Sequence, residues 1–191
     1  MDLFSRIASK YDHIIKGFDL ETIIHDFPIY ENDLMLDLGG GTGRVAIPFL
    51  KYVNECLILD RSFEMLKQAQ AKSRDLLLVQ GTSDFMPFRE NTIMQIFVND
   101  VLHHIHRQTE TLRESYHILK NQGTMTIRDY DRKYLGNIFL LIFEKLLRFG
   151  SKFFSPQELK DQCMEFGFTV NWKRLTKGTY LLSAEKNLRS S

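Results

Sequence analysis

The sequence contains little cysteine and no long apolar run. Only two of its 191 residues are cysteine, Cys56 and Cys163, and they are too far apart to match any metal-binding spacing. We therefore expect buried thiols in a reducing compartment rather than a disulfide framework. The most apolar segment, residues 138–143, is interrupted by Glu144 and Lys145, well short of the ~18 apolar residues of a membrane span. The first twelve residues lack a secretory pattern, so we expect a soluble, cytoplasmic protein.

The sequence also lacks an excess of charge of either sign. Its 25 basic and 24 acidic residues give a formal net charge of +1. Proteins whose main partner is nucleic acid usually carry a basic excess or stripe, so we expect no nucleic-acid partner. Eleven glycines and four prolines are too few for a disordered chain, and a hydrophobic content of 43% is sufficient for a core.

Short apolar runs alternate with helical periodicities along most of the chain. Predicted strands cover residues 33–38, 56–60, 76–81, 92–99 and 123–130, and predicted helices cover 43–52, 62–74, 107–120 and 134–149. This alternation is typical of a parallel sheet covered by helices. Ligands of such sheets bind beyond the carboxyl ends of the strands, next to the first strand.

Both ends of the chain depart from this alternation. Apolar residues at helical spacing before Pro28 predict a helical lid over residues 1–30. Ser155 and Glu158 form a capping box for a late helix that should stop at Gly167, and two short strands around residues 177–178 predict a hairpin. We expect one domain over residues 1–191, with a cofactor-binding core at 31–131 and substrate-side helices and the hairpin at 132–191.

A glycine-rich loop, "LDLGGGTG", follows the first predicted strand. A phosphate-binding P-loop would need Lys and Ser/Thr after the last glycine, where this chain has Arg44 and Val45. The dinucleotide fingerprint G-x-G-x-x-G matches poorly, which argues against a nicotinamide oxidoreductase. The frame D-x-G-x-G-x-G is complete, and its members are Asp37, Gly39, Gly41 and Gly43.

The acids around this loop indicate the charge of the ligand. Asp37, directly before the loop, would repel a pyrophosphate but suits an ammonium or sulfonium group. Asp60 ends the second predicted strand 21 residues after Gly39, where an acid can accept hydrogen bonds from both ribose hydroxyls. An adenosine with a cationic amino-acid tail, S-adenosylmethionine, matches both acids. The alternatives are that Asp37 binds loop amides and that Asp60 caps the next helix, although Ser62 is the better cap.

Four segments resemble successive motifs of the class I S-adenosylmethionine-dependent methyltransferases: "LDLGGGTG", "LILDRSFEML", "GTSDFMPF" and "VNDVLHHI". The opening "MDLFSRIASKYD" and the late "FFSPQELKDQCMEFGF" resemble the small-molecule branch that includes quinone-precursor methyltransferases. The similarity runs from about Phe4 to Lys186. It implies a Rossmann-like, doubly wound, mostly parallel α/β sheet with a C-terminal antiparallel hairpin and an N-terminal helical lid.

The resemblance also implies roles for individual residues. Asp37 and the backbone of Gly39 and Gly41 would face the methionine tail, and Gly40 stands where many relatives carry a side chain, which should loosen the turn. The remaining implied contacts are Asp60 with the ribose, Arg61 and Met65 with the adenine surroundings, Asp84 and the backbone N–H of Phe85 with the adenine, the backbone of Asn99 with the methionine end, and Tyr11 as part of the lid.

The segment "HHIH" allows several interpretations. A metal site needs three or four converging ligands, and these histidines have neither cysteine nor glutamate beside them, so we expect no metal. The segment follows the fourth strand and is expected to line a pocket, where His104 could act as a general base or have only a structural role. Likewise Asp84 could simply be solvated, and the apolar run at 138–149 could be core or a wall of the acceptor pocket.

The sequence thus predicts an enzyme that moves a methyl group to a small aromatic or hydrophobic acceptor by direct in-line displacement. The alternative is a non-catalytic protein that binds S-adenosylmethionine or a nucleotide as a regulator. The expected partner is the small acceptor, with a homodimer left open.

Overall fold

The computed structural model describes residues 29–134 and 152–187, which form one seven-stranded sheet with helices on its faces. The strand order is β3-β2-β1-β4-β5-β7-β6. The strands are β1 (Leu34–Leu38), β2 (Glu55–Asp60), β3 (Leu76–Gln80), β4 (Ile93–Asn99), β5 (Leu119–Tyr130), β6 (Phe168–Arg174) and β7 (Thr179–Lys186).

The first five strands are parallel, and the last two form an antiparallel hairpin whose β7 pairs with β5. The predicted Rossmann-like fold and its terminal hairpin are therefore confirmed. From β1 the chain proceeds outward through β2 to β3 and then returns to place β4 on the other side of β1. This reversal leaves a crevice beyond the carboxyl ends of β1 and β4, the usual ligand position in open α/β sheets.

Four α-helices and one 3-10 turn connect the described strands. The helices are α1 (Ala46–Phe49), α2 (Phe63–Lys72), α3 (Gln108–Ile118) and α4 (Pro156–Glu165), and the 3-10 turn is Leu102–His104. Ser62 caps α2 by accepting the N–H of Met65. The predicted capping box of Ser155 and Glu158 is present at α4, and Gly167 follows that helix with φ +97°.

Two predicted boundaries were wrong. The helix expected over 43–52 is only the single turn α1, because Gly43 has φ +75° and so cannot begin a right-handed helix. The helix expected to reach Lys120 ends at Ile118, because Leu119 already pairs with Ile93 as part of β5. Periodicity alone predicted both helices too long: the conformation of Gly43 delays the start of α1, and strand pairing ends α3.

The core lies on both faces of the sheet because successive strand residues point in opposite directions. Met35, Ile58 and Phe97 belong to the cluster on one face, whereas Leu36 and Ile96 belong to the cluster on the other, and all five are fully buried. Burying an aliphatic or aromatic side chain of this size contributes about 1.5–3 kcal/mol. The central strands are thus fixed from both sides, and their carboxyl ends form a rigid edge.

A buried lysine fixes the end of the hairpin. Lys186 is 4% exposed, and its Nζ donates to Asn91 Oδ1 and to the backbone carbonyls of Tyr116 and Leu119, at 2.7–2.9 Å. Asn91 lies just before β4, Tyr116 in the last turn of α3 and Leu119 at the start of β5, so the ammonium group ties β7 to the end of the sheet opposite the crevice.

The predicted lid at 1–30 lies almost entirely outside the described residues, as does the helix predicted at 134–149. The division of the chain into lid, core and substrate-side parts stays a prediction. None of the helices in the described part is long and apolar enough to cross a membrane.

Candidate active site

A cavity of about 370 Å³ occupies the crevice beyond the carboxyl ends of β1–β4. This volume lies within the usual range of small-molecule sites, ~300–1,000 Å³. The sequence-predicted residues that line it are Asp37, Gly39, Gly41, Asp60, Arg61, Met65, Asp84, Asn99 and His104. Residues from four strand ends therefore meet in one place, as the alternation of strands and helices predicts.

The glycine loop forms one wall of the cavity. Gly39, Gly41 and Gly43 all have positive φ, between +54° and +75°. A Cβ at Gly39 would lie 2.6 Å from Val101 Cγ2, whereas a Cβ at Gly41 would meet no atom closer than 3.8 Å. Gly39 thus lets the loop pack against the segment after β4, whereas Gly41 leaves space open beside the cavity for a ligand.

Gly40 has a more specific role than loosening the turn. A Cβ at this position would collide with the carboxylate of Asp37, which lies directly against the loop backbone. A side chain at position 40 would therefore force Asp37 to move. Glycine at position 40 allows the carboxylate to remain buried beneath the loop.

Asp37 is an incompletely satisfied buried acid. Its side chain is 1% exposed, the Ala46 backbone donates a hydrogen bond to it, and its Oδ2 atom has no hydrogen-bond partner. Burial, and then repulsion by Asp60, raise the pKa of Asp37 to about 7. A buried acceptor without a partner costs about 1–3 kcal/mol, so a cationic donor in the cavity would relieve both the charge and the missing contact.

Asp60 lies across the loop from Asp37. Its Oδ2 accepts the N–H of Gly41 at 3.0 Å, and its Oδ1 accepts the N–H of Ser62 at 2.8 Å. Asp60 therefore joins the loop to the start of α2, in addition to the cap supplied by the Ser62 side chain.

The remaining predicted residues are only partly brought together. Asp84 lines the cavity mouth, where Arg107 Nη1 lies 3.3 Å from its carboxylate, and the pKa of Asp84 is lowered mainly by a hydrogen bond from Thr82. Phe85 does not line the cavity: its side chain is 80% exposed, and its N–H lies 3.4 Å from the Thr82 carbonyl. Tyr11 lies outside the described residues. The proposed contacts of these residues with a ligand stay predictions.

Sequence reasoning missed several residues of the wall. Thr82 and Ser83 follow the end of β3, and Val101 and Ile105 follow the end of β4. Their small or apolar side chains carry no chemical signal of their own. Their position two to six residues after a strand end was the available signal, because parallel strands present their carboxyl ends to the ligand.

A buried acid–histidine pair supports the wall after β4. Nδ1 of His103 lies 2.6 Å from Oδ1 of Asp129, and the backbone N–H of His103 donates to the other carboxylate oxygen at 3.2 Å. The His103 ring stacks on Phe153 at 4.4 Å between centroids. Asp129 thereby fixes the 3-10 turn that carries His104 into the cavity.

His104 itself is a weakly basic imidazole. Burial, and then the neighbouring His103, lower the pKa of His104 to about 3. It is therefore neutral near pH 7, and its low basicity makes it a poor proton acceptor there. This does not support a general-base role and favours a neutral hydrogen-bonding group.

Asp100 lies in a strained conformation beside His104. Its φ is +52°, and one guanidinium nitrogen of Arg128 donates to both of its carboxylate oxygens. Burial raises the pKa of Asp100 although Arg128 opposes the shift. A non-glycine residue held in this conformation costs about 1–3 kcal/mol, and such strain is concentrated at functional sites. Within residues 29–134 and 152–187, no three His, Cys, Asp or Glu side chains converge as metal ligands would.

Comparisons with known proteins agree with this geometry. A family model described as a methyltransferase domain matches residues 36–127, which include the loop, Asp60 and the wall after β4. The ubiquinone/menaquinone biosynthesis C-methyltransferase UbiE of Blochmanniella floridana is 30% identical over 145 residues, 68% of this chain and 57% of that protein. The chain thus spans little more than half the length of this curated relative.

Two further proteins match over more of their length. The uncharacterized protein MJ1123 of Methanocaldococcus jannaschii is 28% identical over 176 residues, 88% of this chain and 82% of that protein. A putative methyltransferase of Haloferax volcanii, solved in complex with the Trm112 methyltransferase activator, aligns with a TM-score of 0.87 over 98% of this chain and 99% of that chain. At 20% identity this last likeness shows a common fold.

Proposed function

Because the chain belongs to the class I S-adenosylmethionine-dependent methyltransferases, we propose that it transfers a methyl group from this cofactor to a small aromatic or hydrophobic acceptor. The observation that carries the proposal is the pair Asp37 and Asp60 on either side of the glycine loop. Both line the cavity at the switch point of the sheet. Asp37 is buried and its Oδ2 has no hydrogen-bond partner, and the carboxylate of Asp60 accepts the N–H of Gly41 from the loop.

The residues present are compatible with the cofactor. Asp37 would hold the cationic tail, the open side of Gly41 would lie against the nucleoside, and Asp60 would accept from the ribose hydroxyls. Thr82 and Ser83, past the end of β3, would border the adenine together with Met65. A cavity of about 370 Å³ is sufficient for most of such a ligand.

The bound cofactor supplies a methyl group already activated by attachment to a positively charged sulfur. The protein's main contribution is therefore alignment, which can lower a barrier by roughly 7–11 kcal/mol when reacting atoms are well oriented. The rigid strand ends and the Asp129–His103 pair provide this alignment by fixing the wall after β4. Val101 and Ile105 contribute apolar surface to that wall, which favours a hydrophobic acceptor.

His104 would act by orienting the acceptor rather than by removing its proton. With a pKa of about 3 it remains neutral, and it can donate or accept one hydrogen bond from the cavity wall. Asp100, fixed by Arg128, is a second polar group on this side. An acceptor with a hydroxyl or amine next to an apolar ring would match both groups.

The first experiment compares ligands by thermal shift on the full chain. We expect S-adenosylhomocysteine to raise the melting temperature and NAD to leave it unchanged. Stabilisation by NAD alone would contradict the proposal. Release of S-adenosylhomocysteine from S-adenosylmethionine in the presence of a panel of phenols, quinols and amines would then separate an enzyme from a non-catalytic regulator.

A second proposal concerns a protein partner. The Haloferax neighbour was solved with the Trm112 activator, and that neighbour and this chain cover each other almost completely. This favours a small activator protein of that kind as a partner here. Copurification of the full chain with Trm112 of its own source organism tests the proposal, and elution of the chain as a monomer or a homodimer without Trm112 would contradict it.

A further inference from the structure

Asp37 is a buried carboxyl group of the cavity wall whose surroundings disfavour a negative charge. Its Oδ2 has no hydrogen-bond partner, and its side chain is 1% exposed. Asp60 faces it from β2 with a second carboxylate. Since burial and a like charge both disfavour ionisation, the ligand-free site holds a proton on Asp37 under mildly acidic conditions.

The groups packed around Asp37 can be named from each element. Asp60 approaches from β2, and its two oxygens already accept the N–H groups of Gly41 and Ser62. Arg44, after the loop, is the cation whose charge acts on Asp37 most directly, and its effect is smaller than those of burial and of Asp60. Cys56 of β2 is a neutral thiol, because burial raises its pKa.

The glycine loop restricts movement of the Asp37 side chain. Any side chain at position 40 would collide with its carboxylate, so the carboxylate and the loop backbone are in direct contact. Asp37 is one of the residues that line the cavity. A cation must therefore arrive from the cavity if the charged form is to be stabilised.

We propose that Asp37 selects ligands by charge and that an adenosine ligand with a cationic tail displaces a proton from Asp37 when it binds. This inference rests on the proposed function and adds that binding and proton release are coupled. Ligands without a positive tail leave the proton in place. The site therefore discriminates cationic from neutral adenosine derivatives more strongly as the pH rises.

The sign of the pH dependence follows from the pKa of Asp37, which is about 7 in the ligand-free protein. A bound cation lowers that pKa, so between the lowered pKa and about 7 the complex holds fewer protons than the free protein. Affinity for the cationic ligand therefore falls as the pH decreases, by about tenfold for each unit below 7. Near pH 8 the group is already ionised and the dependence disappears.

The test is isothermal titration calorimetry of the full chain with S-adenosylhomocysteine in buffers of different ionisation enthalpy. At about pH 6 the ligand's ammonium group is fully protonated, so protons released come from the protein. We expect close to one proton released per ligand at that pH and almost none near pH 8. The matched ligand is 5′-methylthioadenosine, which lacks the amino-acid tail and should release none.

Two variants assign the proton to its residue. Asp37→Asn should abolish proton release and make the affinity for S-adenosylhomocysteine independent of pH between about 5.5 and 7.5. His106→Gln, which removes another titratable group from the cavity wall, should leave the release unchanged. Should Asp37→Asn not fold, the comparison of the two ligands on the unsubstituted chain still decides the question.

The outcomes separate this inference from the proposed function. Binding of S-adenosylhomocysteine without proton release at pH 6 overturns the inference and leaves the methyltransferase proposal intact. Equal proton release with 5′-methylthioadenosine also overturns it, because the proton would then not depend on the cationic tail. Absence of any binding by S-adenosylhomocysteine overturns the proposed function itself.

Discussion

At the scale of single residues, Asp60 joins three parts of the site. It accepts from the glycine loop through Gly41, accepts from the start of α2 through Ser62, and lines the cavity. The same carboxylate thus holds the glycine loop in place and lies where a ligand would contact it. Losing its charge should affect binding more than folding, since a neutral amide can still accept from one of the two N–H groups.

Asp60→Asn should weaken S-adenosylhomocysteine binding by roughly 10- to 100-fold, because a hydrogen bond to a charged group contributes about 1.5–3 kcal/mol. Calorimetry measures the change. Asp75→Asn makes the same chemical change at an exposed residue before β3 and should leave the affinity unaltered. Unchanged binding in Asp60→Asn would remove this residue from the ligand contacts.

The pair of Asp129 and His103 is buried on both sides, with side chains 4% and 3% exposed. Asp129→Ala leaves the imidazole without its acceptor and should lower the free energy of unfolding by about 3–5 kcal/mol. Urea denaturation measures this loss. Glu64→Ala, which removes the exposed partner of Lys67, should cost less than ~1 kcal/mol. Similar losses in both variants would show that the buried pair has no special role.

At the scale of elements, Gly39 and Gly41 have different roles in the glycine loop. Gly39 is closed in by Val101, whereas Gly41 borders open space. The first position should therefore control folding of the loop, and the second should control access of the ligand.

Gly39→Ala and Gly41→Ala test this division. Both place alanine at positive φ, which costs about 1 kcal/mol, but only the Cβ at position 39 also collides with Val101. We expect Gly39→Ala to lower the melting temperature more, and Gly41→Ala to remain folded while losing S-adenosylhomocysteine binding. Full binding by a folded Gly41→Ala variant would mean that the ligand does not approach this part of the loop.

The capping box of α4 is an element-scale prediction that the structure confirmed. The Ser155 side chain accepts the Glu158 N–H, and the Glu158 side chain accepts the Ser155 N–H. Ser155→Ala should lower the free energy of unfolding by about 0.5–2 kcal/mol. Gln157→Ala, at an exposed position of the same helix, serves as the control in the same denaturation series. Equal effects would indicate that the cap does not stabilise this helix.

The sequence predicts the strands better than it predicts the short helix α1 and some residues of the candidate site. Buried strands could be recognised because each is a short apolar run, and Asp37, Asp60 and Asn99 reach the cavity because they end such runs. The short α1 could not be recognised, because its start depends on the left-handed conformation of Gly43. The path of the chain after β3 likewise depends on tertiary contacts, which is why the sequence did not indicate that Thr82 lines the cavity.

At the scale of the whole molecule, Asp37 links stability to pH. Its pKa is about 7 in the folded protein and 3.8 without the fold, so the folded state binds this proton more tightly than the unfolded chain does. Its contribution to stability is therefore fully present below about pH 4 and is lost as the pH rises toward 7. The ligand-free protein carries this cost at neutral pH.

Asp37→Asn should therefore stabilise the ligand-free protein at about pH 8 and change little near pH 4. Each unit of pKa difference corresponds to ~1.4 kcal/mol, so the gain is expected to be a few kcal/mol. Melting temperatures of both proteins across this pH range provide the measurement. The same substitution should weaken binding of the cationic ligand, so the variant would gain stability and lose affinity. A variant less stable than the original at pH 8 would contradict the sign of the effect.

The two cysteines of the chain are both free and buried. Burial raises the pKa of Cys163 to about 12 and also raises that of Cys56, so neither forms the reactive thiolate at neutral pH. The unsubstituted protein should consequently react very slowly with maleimide reagents. A fluorophore attached to one cysteine introduced at exposed Phe85 would then report loop movement at the cavity mouth from a single known position.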